Sequence, residues 1–498
     1  MKARRLLAPI VAALLALGAA PLRPSGQATE AQPTTRPRHP RELSFEPLRY
    51  RPPAPSRSQL PNGLQFWVAE DRTLPLVHGV LVLQAGTMDD PPQAVGLAEV
   101  VGDLLRTGGS HTRPAEEVDE EIDFLGASLS VSVEEEFTSV SFSSLSRDSD
   151  RMLALVSDLV RNPAFRADRL ELARGRLREV IRRRWEDPQD ILDLRFLDLI
   201  YGPRSRWARR PENASVARID GPLCRSFHAR RVAPNLAWLG LAGDLDAAEA
   251  RRKVEKVFGI WKTRRGPERR REEARGGVAP GVYWIEREQA QAGVAIGHLG
   301  APRLGPDHYA LRVLNLILGS GFSSRLVKEV RTARGLAYGV GGGVSEGYDR
   351  GLFRVGLQTQ PERAAEAARV VREVLQGMRE RPPDAEEMRT AHDREAHSFV
   401  FHFSSAEGIV EERVLRTALG YPKDYLDAYL EKIHGVNFEE VRRTARAHIR
   451  PERLVTLIVG PEAAVAPLRA SGMEVRRLPL EPEGAGEGPA AGSVPVPP

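Results

Sequence analysis

His392, His397 and His402, with the single cysteine Cys224, are the first side chains to test as metal ligands. A zinc site on a helix needs two of its ligands on one face, about one turn apart. A spacing of five advances about 140° per step. The three histidines therefore do not share a face, and each reads as an isolated satisfied or exposed residue. A lone cysteine forms no disulfide within the chain and no Cys-ligated zinc site; it reads as a small buried apolar residue. A dense basic run, Arg264 to Arg275, has the charge to meet an anionic surface or nucleic acid. No aromatics interleave it and Pro and Gly lie within it, so it reads as a solvated interdomain linker, and no nucleic-acid partner is expected. The net charge of +5 over 498 residues is small, with 41% apolar and 28% charged residues, as in ordinary soluble proteins.

More specific segments lie elsewhere. Leu60-Pro61-Asn62-Gly63-Leu64 is a turn into a strand. Ala85-Gly86 precedes Asp89-Asp90-Pro91, and Gly96-Leu97-Ala98-Glu99-Val100-Val101-Gly102-Asp103 opens a helix with Leu97, Val100, Val101 and Leu104 on one face. Much later comes Ile317-Leu318-Gly319-Ser320-Gly321-Phe322-Ser323-Ser324-Arg325-Leu326. It is followed by Glu329-Val330-Arg331 and Arg334-Gly335-Leu336-Ala337-Tyr338. On these segments, with Phe258-Gly259-Ile260-Trp261 and Pro306-Asp307-His308-Tyr309, the chain resembles the pitrilysin/insulinase metallopeptidase family from about Leu60 to Gly460.

The resemblance implies a zinc motif, His-x-x-Glu-His, in the first of these helices: two imidazoles on one face and a glutamate that deprotonates the zinc-bound water. Glu99, Gly102 and Asp103 stand at those positions, so both imidazoles and the base are missing. The family's third ligand position falls on Glu179, and the Glu usual two helical turns before it is Leu172. Glu99, Asp103 and Glu179 would suit a hard ion such as calcium or manganese; the alternative is a drifted pocket whose acids are balanced by basic neighbours. The resemblance also implies that Arg331 and Tyr338, seven residues apart, reach an active site. There the guanidinium would hold a substrate carbonyl or carboxylate, and the phenol would donate to an oxyanion. Read without the family, they are a helix-end Arg and a core Tyr. Ser130-Val131 replaces the Asn-Ala usual on the substrate-binding edge strand, which weakens peptide uptake by this half.

The expectation is thus a non-catalytic subunit of a heterodimeric zinc peptidase. It would hold no metal itself and would supply Arg331 and Tyr338 to a zinc-bearing paralogue that hydrolyses peptides, the pair closing like a clamshell. A peptide-binding or assembly scaffold, or an active peptidase with a non-His metal site, are the alternatives.

Periodicity supplies the elements that must position these residues. Strands are expected at 65–69, 75–85, 127–133, 138–145, 236–242, 282–285, 293–298, 352–359 and 454–459. Helices are expected at 96–105, 152–160, 169–185, 308–318, 361–378 and 387–403. Similar element order in the two halves predicts an α+β fold of two related domains, each a mostly antiparallel sheet packed with helices. Their expected bounds are 56–262 and 281–480, joined by the charged linker 263–280. Residues 1–20 carry a basic start, an apolar run and small residues, the pattern of a signal peptide. No cysteine follows for a lipid anchor, so a periplasmic or secreted protein without a membrane span after processing is expected. Pro-rich 21–55 reads as a disordered leader and Gly/Ala/Pro/Glu-rich 481–498 as a disordered tail.

Overall fold

The computed structural model describes residues 48–272 and 276–481. The signal peptide, most of the leader, three linker residues and the tail beyond Glu481 lie outside the described residues.

The first half contains β1 (Ser56–Gln59), β2 (Gln65–Glu70), β3 (Leu76–Leu83), β4 (Ser128–Val133), β5 (Thr138–Leu145) and β6 (Ala237–Gly243). Its helices are α1 (Leu97–Thr107), α2 (Ala115–Phe124), α3 (Ser149–Arg161), α4 (Ala167–Arg183), α5 (Pro188–Tyr201), α6 (Asn213–Ala217), α7 (Gly221–Arg231) and α8 (Ala247–Phe258). The second half contains β7 (Gly281–Glu286), β8 (Ala292–Leu299), β9 (Ala301–Pro302), β10 (Val340–Val344), β11 (Glu346–Gly347), β12 (Leu352–Thr359), β13 (Val455–Gly460) and β14 (Val475–Leu478). Its helices are α9 (His308–Leu318), α10 (Ala364–Glu380), α11 (Ala385–Phe401), α12 (Ala406–Ala418), α13 (Tyr425–His434), α14 (Phe438–His448) and α15 (Ala466–Ala470).

Each half builds a six-stranded sheet, ordered β1-β2-β6-β3-β5-β4 and β10-β12-β8-β13-β7-β14. The pairings repeat. β2 runs parallel to β6, and β6-β3, β3-β5 and β5-β4 are antiparallel. In the second half β7 runs parallel to β13, and β13-β8, β8-β12 and β12-β10 are antiparallel. The α+β fold of two related, mostly antiparallel sheets with helices is therefore as expected.

The core shows what periodicity could not. β2, β3 and β6 present Trp67, Val80, Val82 and Ala242 on the face away from their own helices, and Val410 and Val414 of α12, from the second half, cover them. Reciprocally, Ile191, Leu192, Phe196 and Leu199 of α5, from the first half, pack on Tyr283, Ile285, Ala295 and Leu457 of the second sheet. Each such buried side chain contributes roughly 2 kcal/mol, so each half depends on a helix from the other. Asp187 and Pro188, just beyond α4, start α5. Pro188 opens the helix, and the Asp187 carboxylate accepts hydrogen bonds from the Gln189 and Asp190 N–H groups at 2.6 and 3.2 Å.

Two segment expectations are corrected. The end of the leader is packed: Leu48 and Tyr50 lie on the second core, with the Tyr50 ring 6.0 Å from that of Phe403. The basic run is not a freely solvated linker. Arg269 is buried against Asp89 (Nε–Oδ1 3.1 Å), the Tyr348 hydroxyl donates to the Arg269 carbonyl at 2.6 Å, and Gly277 N–H reaches Ile200 O at 2.9 Å. Buried acids on the protein body supply partners that a reading of the run alone leaves out.

His298 on β8 is buried, with Nδ1–H donating to Leu299 O (2.8 Å) and Nε2 accepting from Arg450 N–H (3.0 Å). Burial pushes its pKa down to about 4. An unfolded histidine titrates near 6.5. The unfolded chain therefore takes up the proton first. Stability from this group is whole above pH ~6.5 and falls as pH drops towards ~4, by roughly 3 kcal/mol. Urea melts of the parent and His298→Gln near neutrality and at about pH 4.5 should show a gap that closes on acidification. A gap of constant size would contradict this assignment.

Candidate functional site

The motif positions lie where α1 crosses α4, beside the edge strand β4. Asp90 anchors α1: its carboxylate accepts from Gly96 N–H (2.7 Å) and Ala98 N–H (2.8 Å), while burial pushes its pKa up to about 7. This fixes Glu99, Gly102 and Asp103 on the first turns of the helix.

Each acid of the motif is taken up by arginine or by burial. Glu99 is half-buried, and desolvation raises its pKa against the opposing pull of Arg184. Its Oε2 has no hydrogen-bond partner among the described residues. Asp103 is paired with Arg176 of α4, whose Nε lies 3.2 Å from Oδ2. Glu179 is held by Arg182 and Arg183, with Oε1 at 2.6 Å from a nitrogen of each, and these bonds bring its pKa down to about 2. No group of three or more His, Cys, Asp or Glu side chains placed to hold a metal occurs among the described residues.

Gly102 shows how far the pocket has changed. A Cβ at this position would stand 2.3 Å from Cγ2 of Val133 and 3.7 Å from Cγ1 of Val131. The room a general base would need is filled by the end of β4. The donor set here therefore does not fit a zinc ion: two acids are neutralised by arginines, the third is half-buried with one oxygen shut off from solvent, and the base position is closed by a valine.

The other expected pair lies in the second half. A π-helical turn, Val327–Thr332, carries Arg331. Such turns occur often at functional sites. The Arg331 guanidinium stands between two exposed rings, 5.1 Å from the Tyr338 centroid and 5.3 Å from that of Phe322. Tyr338 is 87% exposed and Phe322 80%, so Tyr338 is no core residue. Among the described residues Arg331 has no carboxylate within ion-pair distance. The Tyr338 hydroxyl makes no hydrogen bond there. The neighbouring Arg334 is paired with Glu329. No hydrogen bond or ion pair links Arg331 or Tyr338 to Glu99, Asp103 or Glu179 among the described residues. Asp103 thus meets α4 through Arg176, Glu179 is taken up by Arg182 and Arg183 of its own helix, and the Arg/Tyr pair stands apart from them among the described residues.

Comparison with known proteins places these features. An uncharacterized zinc protease of Mycobacterium tuberculosis is 30% identical over 82% of this chain and 94% of its own length. The chain belongs to the insulinase family of peptidases, M16. The M16 description "Insulinase (Peptidase family M16)" matches residues 68–201, and "Peptidase M16 inactive domain" matches residues 224–394. An uncharacterized zinc protease of Bacillus subtilis is 22% identical over 80% of this chain and 96% of its own. The fold is shared with a solved peptidase M16 inactive domain from Pseudomonas fluorescens (24% identity, 82% and 98% coverage, TM-score 0.73) and with a Helicobacter pylori protease (17%, 82% and 100%, 0.73).

Within this M16 chain, sequence reasoning missed Val133 as the occupant of the base position and Phe322 as the second face around Arg331. The alternation of β4 carried a signal for Val133, since Val131 and Val133 share a face. Phe322 lies in the Ile317–Leu326 segment but has no periodic neighbours to mark it. The three spaced histidines are separate, as expected: His392 faces His434, His402 lies 3.5 Å from Glu412, and His397 is exposed. Cys224 is fully buried, and burial raises its thiol to about 12. No helix among the described residues is long and apolar enough to cross a membrane.

Proposed function

We propose that this chain is the non-catalytic subunit of a two-chain M16 peptidase, closing over a peptide with a zinc-bearing family member. The observation that carries the reading is the contrast between its two sites. The motif on α1 and α4 is neutralised and closed by Val133, whereas Arg331 is half-buried without an ion-pair partner among the described residues and Tyr338 is exposed. A guanidinium without a carboxylate partner can hold a peptide carbonyl or terminal carboxylate. A free phenol can donate to the oxygen on which charge builds during attack on the scissile carbonyl. The match of residues 224–394 to the M16 inactive domain supports a binding rather than a metal-holding role for the second half. The partner brings the metal and the base. The signal-peptide pattern of residues 1–20 supports a periplasmic or secreted location for the pair.

The purified chain alone should hold no stoichiometric zinc and cleave no peptide. Co-purification from the native organism should bring down an M16 chain with an intact His-x-x-Glu-His. Metal analysis with a chelator-sensitive peptidase assay decides it: one zinc per chain with chelator-sensitive cleavage would overturn the reading.

A further inference from the structure

The second half holds a half-open cavity of about 410 Å³ beside α9, α11, α12 and α13, with β10 and β11 on its other side. Its lining is unlike the corresponding layer of the first half. α1 and α9 are both eleven-residue helices that follow equivalent strands, β3 and β8. At the first, fifth and eighth positions α1 places Leu97, Val101 and Leu104, all buried in an apolar cluster. α9 places His308, Arg312 and Asn315 there, and these line the cavity. His308 is buried, Asn315 half-buried and Arg312 exposed, and a polar group buried here is costlier than an apolar one unless it is satisfied.

Most of the lining groups are satisfied. His308 Nδ1 meets Glu346 Oε2, and its Nε2 lies 3.0 Å from the Tyr425 hydroxyl. Arg312 donates to Tyr429 Oη (3.2 Å) and Glu395 Oε1 (3.1 Å), and Tyr429 donates to Glu395. Asn315 bonds both backbone groups of Val344, each at 2.8 Å. Two groups are left over. The Glu346 side chain is only 10% exposed, and its Oε1 is buried without a partner among the described residues. Arg416 donates Nε to Glu412 Oε2 at 3.0 Å, but neither Nη has a partner among the described residues. Its guanidinium lies 5.3 Å from the Tyr421 ring.

A buried carboxylate oxygen calls for a charged N–H donor, and an open guanidinium edge calls for a carboxylate. The volume is that of a small-molecule site, and Phe399 and Leu426 add apolar wall. We propose that this cavity binds a free α-amino acid with an apolar side chain, its ammonium on Glu346 and its carboxylate on Arg416. This site is separate from the Arg331/Tyr338 pair and does not depend on its role.

Calorimetry and thermal-shift titration of the full chain test it, with L-phenylalanine and L-leucine as probes. 3-Phenylpropanoate, which lacks the amine, and 2-phenylethylamine, which lacks the carboxylate, are the controls. At least one amino acid should bind saturably and raise the melting temperature, with both controls about tenfold weaker or worse. E346Q and R416M should each lower affinity by about tenfold or more. If E346Q fails to fold, R416M and the cavity-filling S398W carry the test, and each should weaken binding. No saturable binding of either amino acid, equal binding of 3-phenylpropanoate, or affinity unchanged in R416M and S398W would overturn the assignment.

Discussion

Tyr338→Phe in the two-chain complex should lower turnover by about 100- to 1000-fold, the usual loss when one oxyanion donor is removed. Zinc content and assembly should stay as they are. The hydroxyl makes no hydrogen bond among the described residues and Tyr338 is 87% exposed, so its loss leaves no buried group stranded and costs no folding energy. Arg331→Ala should act mainly on KM, because a guanidinium that holds substrate before and during reaction contributes to both states. Phe322→Ala offers a finer check. It removes one of the two rings around Arg331 and should raise KM by a smaller factor than Arg331→Ala. Steady-state kinetics on the reconstituted pair, with zinc and mass measured for each variant, make the comparison. Unchanged kinetics in both Tyr338→Phe and Arg331→Ala would make the pair a structural remnant and favour a scaffold role.

The second large effect concerns rebuilding the lost centre. Glu99→His, Gly102→Glu and Asp103→His together should still bind no zinc, because the new side chain at 102 must occupy the space of Val133 Cγ2. Overpacking of this kind costs about 1–3 kcal/mol, only partly offset by the ~1 kcal/mol gained on replacing a helical glycine. Adding Val133→Ala should relieve the clash, raise the melting temperature above that of the triple variant, and allow chelator-removable zinc to be taken up. A histidine at 103 would also release Arg176 from its carboxylate. The measurement is metal content and melting temperature for the triple and quadruple variants. A triple variant as stable as its parent, unaffected by Val133→Ala, would mean that α1 does not press on β4 as described.

Much of the architecture was legible in the chain because hydrophobic period is a local property. β3, β5, α9 and α10 all lie within a few residues of where alternation or helical spacing puts them. The lost motif was legible for the same reason, since Glu99, Gly102 and Asp103 sit within one helical turn. What was not legible depends on distant partners. Nothing in the sequence of α12 says that Val410 and Val414 cover the first sheet rather than the second. Likewise, that Arg176 neutralises Asp103 and that Val133 fills the space above Gly102 are facts about chain crossings. The cavity behind α9 was hidden because His308 and Asn315 look, in a linear reading, like polar interruptions of an apolar helix.

The exchange of α5 and α12 between the halves bears on how such a chamber could open. A hinge needs a line across which few contacts run. Here any line drawn between the two sheets cuts the apolar seat of one borrowed helix or the other. The described residues of this chain are accordingly expected to act as one plate. Admission of a peptide would then have to be a parting of two plates, with the gate lying wholly in the contact between chains.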